Sequence, residues 1–232
     1  MQSNLKTSNM TDYTIGLSIL SRGTDVKLAS AEARRVLSIL EGRVIGENDI
    51  ARESLGRPFF PGRDADFNIS HSGRLIAVSM VRGKKLRVGC DVERIRPRMG
   101  AEGIAQDFFS VPEKNYLFHQ GRFSEMRFYQ IWTLKECFLK LRGFSIFDMK
   151  STPSFVNDER LDFDEIVSSQ LAFRLYEVSG GNGERYILAT AIEGAIEPKP
   201  EIRWFSQSFL DCKMIVEIKA VPNSAETVSP KR

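Results

Sequence analysis

Arg185-Tyr186-Ile187-Leu188-Ala189-Thr190-Ala191-Ile192-Glu193-Gly194 aligns without a gap on Arg74-Leu75-Ile76-Ala77-Val78-Ser79-Met80-Val81-Arg82-Gly83. Both stretches read as strands, opened by Arg, closed by Gly and filled with aliphatic and β-branched residues. A shorter echo joins Ile15-Gly16-Leu17-Ser18-Ile19 to Val88-Gly89-Cys90-Asp91-Val92. Amphipathic strands resemble one another, so each match is weak alone. Their order says more: strand, helix, hairpin, then strand, helices, hairpin. The pattern predicts an α+β protein built as a pseudo-twofold duplication, two similar α+β halves with a ligand cleft between them. The expected halves are 12–85 and 86–220, with 1–11 and 221–232 as polar, flexible tails. Ser18 and Leu20 replace Asp91 and Glu93 in the first half, so the second alone would carry the metal site described below.

Between these anchors the pattern predicts a strand over 14–20 and a helix over about 30–44. Ser30 is its N-cap, and Ala33, Val36, Leu37 and Leu40 form an apolar stripe. Gly56-Arg57-Pro58 and Pro61-Gly62-Arg63-Asp64 mark a loop, followed by strands at 67–70, 75–81 and 86–92. Ser110-Val111-Pro112-Glu113 has the form of a helix start, with Ser as cap, Pro in the first turn and Glu at the third position. A second helix over about 124–141 is stopped by Gly143 and has Phe128, Ile131, Trp132, the Lys135 stem, Phe138 and Leu139 on its core face. A hairpin pairs 172–178 with 186–192 around Ser179-Gly180-Gly181-Asn182-Gly183.

Composition narrows the function classes. A chain of 232 residues with 42% hydrophobic and 27% charged residues is ordinary for a globular protein with a real core. A net charge of +3 suits an anionic ligand or an acidic partner but is too small to argue for nucleic acid. Three cysteines without a CxxC pair argue against a disulfide framework or a structural zinc site and fit a reducing compartment. The first residues are polar with no apolar run behind them, and the best apolar stretches are strand-sized. No membrane association is expected, and the cytoplasm is the expected location.

Two acidic segments carry the chemistry. In Val88-Gly89-Cys90-Asp91-Val92-Glu93 the strand period puts Asp91 and Glu93 on one face and turns Cys90 and Val92 to the other. In Ile131-Trp132-Thr133-Leu134-Lys135-Glu136-Cys137-Phe138-Leu139-Lys140 the helical period puts Glu136 and Lys140 on one face. If these groups converge they form a seat for a divalent cation and a phosphate, and Mg²⁺ is the cation that prefers such oxygen donors. Two carboxylates about 4 Å apart repel by roughly 4 kcal/mol at an effective dielectric of 20, so convergence requires a cation or Lys140 nearby. Read singly, Asp91 and Glu93 fit an exposed strand face paired to Arg94, Arg96 or Lys84 better than a metal site, and Glu136/Lys140 a surface helix pair. Asn68-Ile69-Ser70-His71-Ser72-Gly73 offers hydroxyls, an imidazole and turn amides to a phosphate, or is simply a capped turn. Ser70 beside His71 is adjacency, not a catalytic triad. His119 reads as exposed, and Cys90 and Cys137 as buried and inert.

Taken in order, Gly56-Arg57-Pro58, Phe67-Asn68-Ile69-Ser70-His71-Ser72, Gly89-Cys90-Asp91-Val92-Glu93 and Trp132-Thr133-Leu134-Lys135-Glu136-Cys137-Phe138-Leu139-Lys140 resemble the motifs of the 4′-phosphopantetheinyl transferases, specifically the larger surfactin-synthetase-activating type. The resemblance spans about residues 30–145. It implies a pseudo-twofold α+β fold with coenzyme A between the halves. It also implies Mg²⁺-dependent transfer of the phosphopantetheine arm to a serine of an apo acyl or peptidyl carrier protein, releasing adenosine 3′,5′-bisphosphate. Carried over by position, Asp91, Glu93 and Glu136 would hold Mg²⁺, with Glu136 also the candidate base. Lys140 would neutralise phosphate charge. Arg57, Ser70 and His71 would grip the coenzyme's phosphates, with Arg34 (or its neighbour Arg35) as a further contact. Members of the family commonly have Ile at the place of Cys90 and Lys at the place of Arg57.

An acidic carrier would be steered by Lys84-Lys85-Leu86-Arg87 or by Arg94, Arg96 and Arg98. Two fused halves imply a monomer. The competing readings are a coenzyme A-binding acyltransferase, which needs no carboxylate cluster, a non-catalytic carrier-binding scaffold, and a metal-dependent phosphohydrolase.

Overall fold

In a computed structural model of the chain, residues 12–21, 25–163, 171–180, 183–194, 199–205 and 214–219 are described. The expected tails 1–11 and 221–232, and the middle of the loop at 180–183, lie outside these residues. Eight main strands are β1 (Asp12–Ile19), β2 (Ala65–Ser72), β3 (Leu75–Arg82), β4 (Arg87–Arg94), β5 (Leu171–Ser179), β6 (Arg185–Glu193), β7 (Glu201–Trp204) and β8 (Met214–Ile218). The α-helices are α1 (Val26–Glu41), α2 (Ala101–Phe108), α3 (Val111–Tyr116) and α4 (Glu125–Arg142).

The strands form two four-stranded sheets, ordered β7-β1-β3-β2 and β8-β5-β6-β4. In each, the strand that precedes a helix pairs with the second strand of a hairpin, which pairs with the first. This shared order is what two similar halves would give; the duplication itself is a proposal. Pairing is antiparallel except for β7, which lies parallel to β1 with Ile15 opposite Ile202. The expected division therefore needs an amendment: β7, inside 86–220, joins the first sheet. Four half-exposed residues at an edge carry too little alternation to announce this in the sequence.

Register separates the halves in a second way. Ile15 stands opposite Ser79, whereas Val88, its match in sequence, stands opposite Ile192, the counterpart of Val81. The strands have slipped by two residues relative to the sequence match. An even slip keeps every side chain on its face. The sequence match follows something else. Gly16 lies under α1, where an added Cβ would stand 2.5 Å from Val36 Cγ1, and Gly89 lies under α4, where it would stand 2.5 Å from the Cys137 carbonyl oxygen. Both glycines mark where a helix crosses its strand closely.

Helix α1 starts four residues before the expected cap. Asp25 accepts from Lys27 N at 2.8 Å, a better cap than Ser30 because its carboxylate also meets the positive end of the helix. It ends at Gly42, left-handed at φ 76°, instead of running on to 44. Its buried stripe is Ala29, Ala33, Val36, Leu37 and Leu40, packed on the outer face of the first sheet. At α3 the capping box forms as expected: Ser110 Oγ accepts from Glu113 N, and Glu113 Oε2 accepts from Ser110 N. Helix α4 runs from its Ser124 cap to Gly143 at φ 69°. It is buried almost all round, because the second sheet lies on one side and α2, α3 and the segment Met149–Phe163 on the other. A third core layer between the sheets contains Ile15, Leu17, Leu75 and Ala77 against Cys90, Val92, Tyr186 and Leu188. Cys90 and Cys137 are both buried, and burial pushes both thiols up in proton affinity, as an inert role requires.

Candidate functional site

The sheets meet along a seam between their edge strands β2 and β4. An edge strand turns one row of amides outward, and here β2 satisfies that row with side chains. Val88 N donates to Asp66 Oδ2 at 2.8 Å, Cys90 N to Asn68 Oδ1 at 3.2 Å, Val92 N to Ser70 Oγ at 3.2 Å and Arg94 N to Ser72 Oγ at 3.0 Å. Each bond joins residues 22 apart, so the strands run side by side in one direction. The sequence signal for this ladder was present: a polar residue at every second position, Asp66, Asn68, Ser70 and Ser72, alternating with Phe67 and Ile69. Sequence reasoning offered the Ser70 and Ser72 hydroxyls to a phosphate and carried only Ser70 forward as a named contact.

The predicted carboxylates lie on this seam. Asp91 is 4% exposed, and its Oδ1 accepts from Ser70 Oγ at 2.8 Å and Lys140 Nζ at 2.5 Å. Its Oδ2 is buried with no partner among the described residues. Glu93 Oε2 accepts from Ser72 Oγ at 2.8 Å. Burial, then repulsion from Asp91, raises the Glu93 carboxyl above its ordinary range, and the Ser72 bond opposes the rise. Glu136 makes no hydrogen bond among the described residues. Burial and the neighbouring Asp91 and Glu93 push it up to about 7, with Lys140 and Arg98 acting against them. Burial pulls the Lys140 ammonium down, but Asp91 beside it outweighs that and holds it above the ordinary lysine range. Lys140 also donates to Ser70 Oγ at 2.9 Å. Strand and helix thus bring Asp91, Glu93, Glu136 and Lys140 together.

Four expected phosphate contacts are placed otherwise. Arg57 is buried and has no donor left for a ligand. Its Nε donates to the Lys140 carbonyl at 3.0 Å, its Nη1 to Asp66 Oδ1 at 3.0 Å and the Pro58 carbonyl at 3.3 Å, and its Nη2 to Asp66 Oδ2 at 2.5 Å and the Val88 carbonyl at 2.9 Å. All five guanidinium donors tie the loop, β2, β4 and the end of α4 together. The Ser70 hydroxyl is likewise spent on Asp91, Val92 N and Lys140. Arg34 lies on the outer surface of α1, facing Glu47 at 3.4 Å, in a broad groove of about 670 Å³ that shares no residue with the cleft beside Lys140. His71 is exposed and, by strand alternation, on the face away from Asp91 and Glu93.

A cleft of about 210 Å³ opens beside Lys140, with Gly56, Pro58, Asn68, Ile69, Gly143 and Phe144 among its walls. Past Glu93, Arg98 lays its guanidinium 5.1 Å from the Trp132 ring, one helical turn before Glu136. A second feature unseen in the sequence is a buried ion pair behind the site. Lys135 Nζ lies 3.0 Å from Glu113 Oε2 and donates to Thr152 Oγ1 at 2.7 Å, with both charged side chains at most 2% exposed. Lys135 is therefore a paired charge, not merely an apolar stem.

The donor set suits a hard cation, because every available atom is a carboxylate oxygen and Asp91 Oδ2 is buried without a partner. As the side chains stand, no three His, Cys, Asp or Glu residues among those described close on a single point. Lys140 supplies the charge balance on Asp91 instead.

Fold and site together place a cluster of carboxylates and a lysine at the joint of two α+β units. The profile of the 4′-phosphopantetheinyl transferase superfamily (ACPS) matches residues 87–191, from β4 to β6, the stretch that holds all four site residues. The chain is 33% identical over 128 residues to a putative 4′-phosphopantetheinyl transferase of Haemophilus influenzae, covering 54% of each chain. It is 36% identical over 121 residues to the 4′-phosphopantetheinyl transferase AcpT of Salmonella typhimurium, covering 52% of this chain and 59% of that one. It is 33% identical over 138 residues to the 4′-phosphopantetheinyl transferase Sfp of Bacillus subtilis, covering 56% of this chain and 58% of that one. The chain thus spans a little over half the length of these relatives. The expected resemblance to the superfamily holds over the site-bearing stretch. Among the described residues, no helix is long and apolar enough to cross a membrane.

Proposed function

We propose that the protein transfers the 4′-phosphopantetheine arm of coenzyme A to a serine of an apo acyl or peptidyl carrier protein, as a monomeric, cytoplasmic enzyme of the surfactin-synthetase-activating type. The observation that carries this reading is the gathering of Asp91, Glu93, Glu136 and Lys140 within the stretch that matches the superfamily.

Asp91, Glu93 and Glu136 would hold Mg²⁺. When bound, it acts as a Lewis acid on the pyrophosphate and neutralises its charge. Glu136 takes the proton of the attacking serine hydroxyl, a role open to a carboxylate that makes no hydrogen bond among the described residues. The serine oxygen bonds to the β-phosphorus. The bond from that phosphorus to its bridging oxygen breaks, and adenosine 3′,5′-bisphosphate leaves with the bridging oxygen. Lys140, at the mouth of the cleft, offsets the negative charge on the phosphates. Arg57 acts one step back, fixing the loop and the end of α4 that frame the cleft.

Of the two basic stretches, Arg96 and Arg98 lie at the Glu93 end of β4 and have no ion-pair partner among the described residues. Arg87 is paired with Glu53 and Arg94 with Glu184. Lys84 and Lys85 also have no ion-pair partner among the described residues but lie before Arg87, at the other end of β4, so Arg96 and Arg98 are assigned as the guides for an acidic carrier by their position. Charge reversal at both is expected to slow carrier association and flatten its salt dependence; unchanged association would remove them from that role.

The reaction is tested by incubating the protein with coenzyme A, Mg²⁺ and a panel of apo carriers, then weighing each carrier. A gain of one phosphopantetheine that is lost with EDTA supports the reading. Cleavage of coenzyme A with no carrier modified would make the protein a phosphohydrolase, and metal-independent acyl transfer would make it an acyltransferase.

A further inference from the structure

We propose that Ser72 is a positioning residue that fixes Glu93 on the cation-binding face, acting through that carboxylate and touching neither coenzyme nor carrier. The inference rests on the transferase reading above.

A serine hydroxyl has one proton to give and lone pairs to receive. Arg94 N donates to Ser72 Oγ at 3.0 Å, which fixes a lone pair on the backbone of β4. Glu93 Oε2 lies 2.8 Å from the same oxygen, and an ionised carboxylate can only accept. The single proton is therefore aimed at Glu93. Two residues earlier the same triangle recurs: Val92 N donates to Ser70 Oγ, and Ser70 Oγ donates to Asp91 Oδ1. In both triangles a backbone amide orients a serine and the serine holds one carboxylate oxygen; at Asp91 the other oxygen is buried without a partner among the described residues. The device follows from the seam geometry. Ser70 and Ser72 each reach the amide 22 residues on and, beside it, the carboxylate 21 residues on.

The arrangement matters more for Glu93 than for Asp91. Asp91 is short and is also gripped by Lys140. Glu93 has an extra methylene, and Ser72 is its only hydrogen-bond partner among the described residues. Without Ser72 the carboxylate regains its rotamer freedom, and a cation must order it on binding.

The test compares Ser72→Val with Ser72→Thr, two side chains of one shape that differ by the hydroxyl, with Ser72→Ala alongside. Calorimetry with Mn²⁺ alone, without coenzyme, measures cation affinity, and denaturation measures stability. Ser72→Val is expected to bind Mn²⁺ about tenfold more weakly than wild type, and Ser72→Thr within about twofold of it. Raising Mn²⁺ should restore much of the lost carrier modification in Ser72→Val, which a purely structural defect would not allow. Should Ser72→Ala fail to fold, the Val/Thr pair still decides. Wild-type Mn²⁺ affinity in Ser72→Val, whatever its stability, would overturn the positioning role. A wild-type protein that bound no Mn²⁺ and modified no carrier would instead overturn the transferase reading itself.

Discussion

Strands β1 and β4 are built alike and used differently. Each precedes a helix that crosses it at a glycine, Gly16 under α1 and Gly89 under α4. Beyond Gly16 the strand offers Ser18, whose hydroxyl meets Glu32 of α1 at 2.5 Å, and it ends at Ile19. Beyond Gly89 it offers Asp91 and Glu93 and runs on to Arg94. In the first half the helix covers the strand and the polar groups satisfy one another. In the second, three carboxylates press on each other with one lysine between them. The first half illustrates stability from matched groups; the second holds mismatched charge that a cation and phosphates would resolve.

The largest expected difference is in activity. Glu136→Gln should lower carrier modification by at least about a hundredfold, since it removes the base while keeping the shape. Ser18→Ala, in the matched position of the first half, should leave the rate within about twofold. Equal losses in both would erase the distinction between the halves.

Next comes the charge behind the site. Lys135→Met strands the Glu113 carboxylate, which is 0% exposed and accepts from Ser110 N at 2.8 Å and Phe155 N at 3.0 Å. Denaturant unfolding should show a loss of about 3–5 kcal/mol. A double replacement by apolar residues of similar volume should recover most of it. A loss below about 1 kcal/mol would mean that Lys135 is not paired as described.

The two glycines sharpen the contrast further. At Gly89 an added methyl meets backbone, the Cys137 oxygen at 2.5 Å and Leu141 N at 3.0 Å, which can yield only by moving α4. At Gly16 it meets side chains, Val36 Cγ1 at 2.5 Å and Leu40 Cδ1 at 3.2 Å. Gly89→Ala should therefore cost about 3 kcal/mol and Gly16→Ala about 1–2 kcal/mol. It should also reduce activity, since moving α4 moves Glu136 and Lys140. The reverse ranking would mean that the helix crossings have been misassigned.

The last effect is in pH. Glu136 is raised from 4.5 in the unfolded chain to about 7 in the folded one, so the metal-free folded state binds more protons between those values. Folding stability should fall as pH rises through that window, by at most about 3 kcal/mol from this group. Glu136→Gln should remove that fall and leave the metal-free protein more stable than wild type at pH 8. A wild-type stability that rose with pH from 5 to 7.5 would show that other groups govern the window.

The sequence was most legible where local chemistry is strong. The Ser110 capping box, the span of α4 with its Gly143 stop, the hairpin strands and the shared face of Asp91 and Glu93 all follow from short-range rules. It was least legible where meaning depends on a distant partner. Arg57 read as a phosphate grip through the resemblance of Gly56-Arg57-Pro58 to the family's loop, but its five donors meet groups on four segments that only folding brings together. Asp66, Asn68 and Ser72 form a period-two polar row, yet nothing local reveals an edge strand awaiting them. The short edge strands β7 and β8 are defined by their neighbours more than by their own pattern.

The most direct measurement is anomalous diffraction from crystals grown with Mn²⁺ and coenzyme A. One strong peak between Asp91, Glu93 and Glu136, with coenzyme phosphate beside Lys140, is the predicted result. Coenzyme bound in the groove over α1, or a cation held away from these three carboxylates, would contradict it.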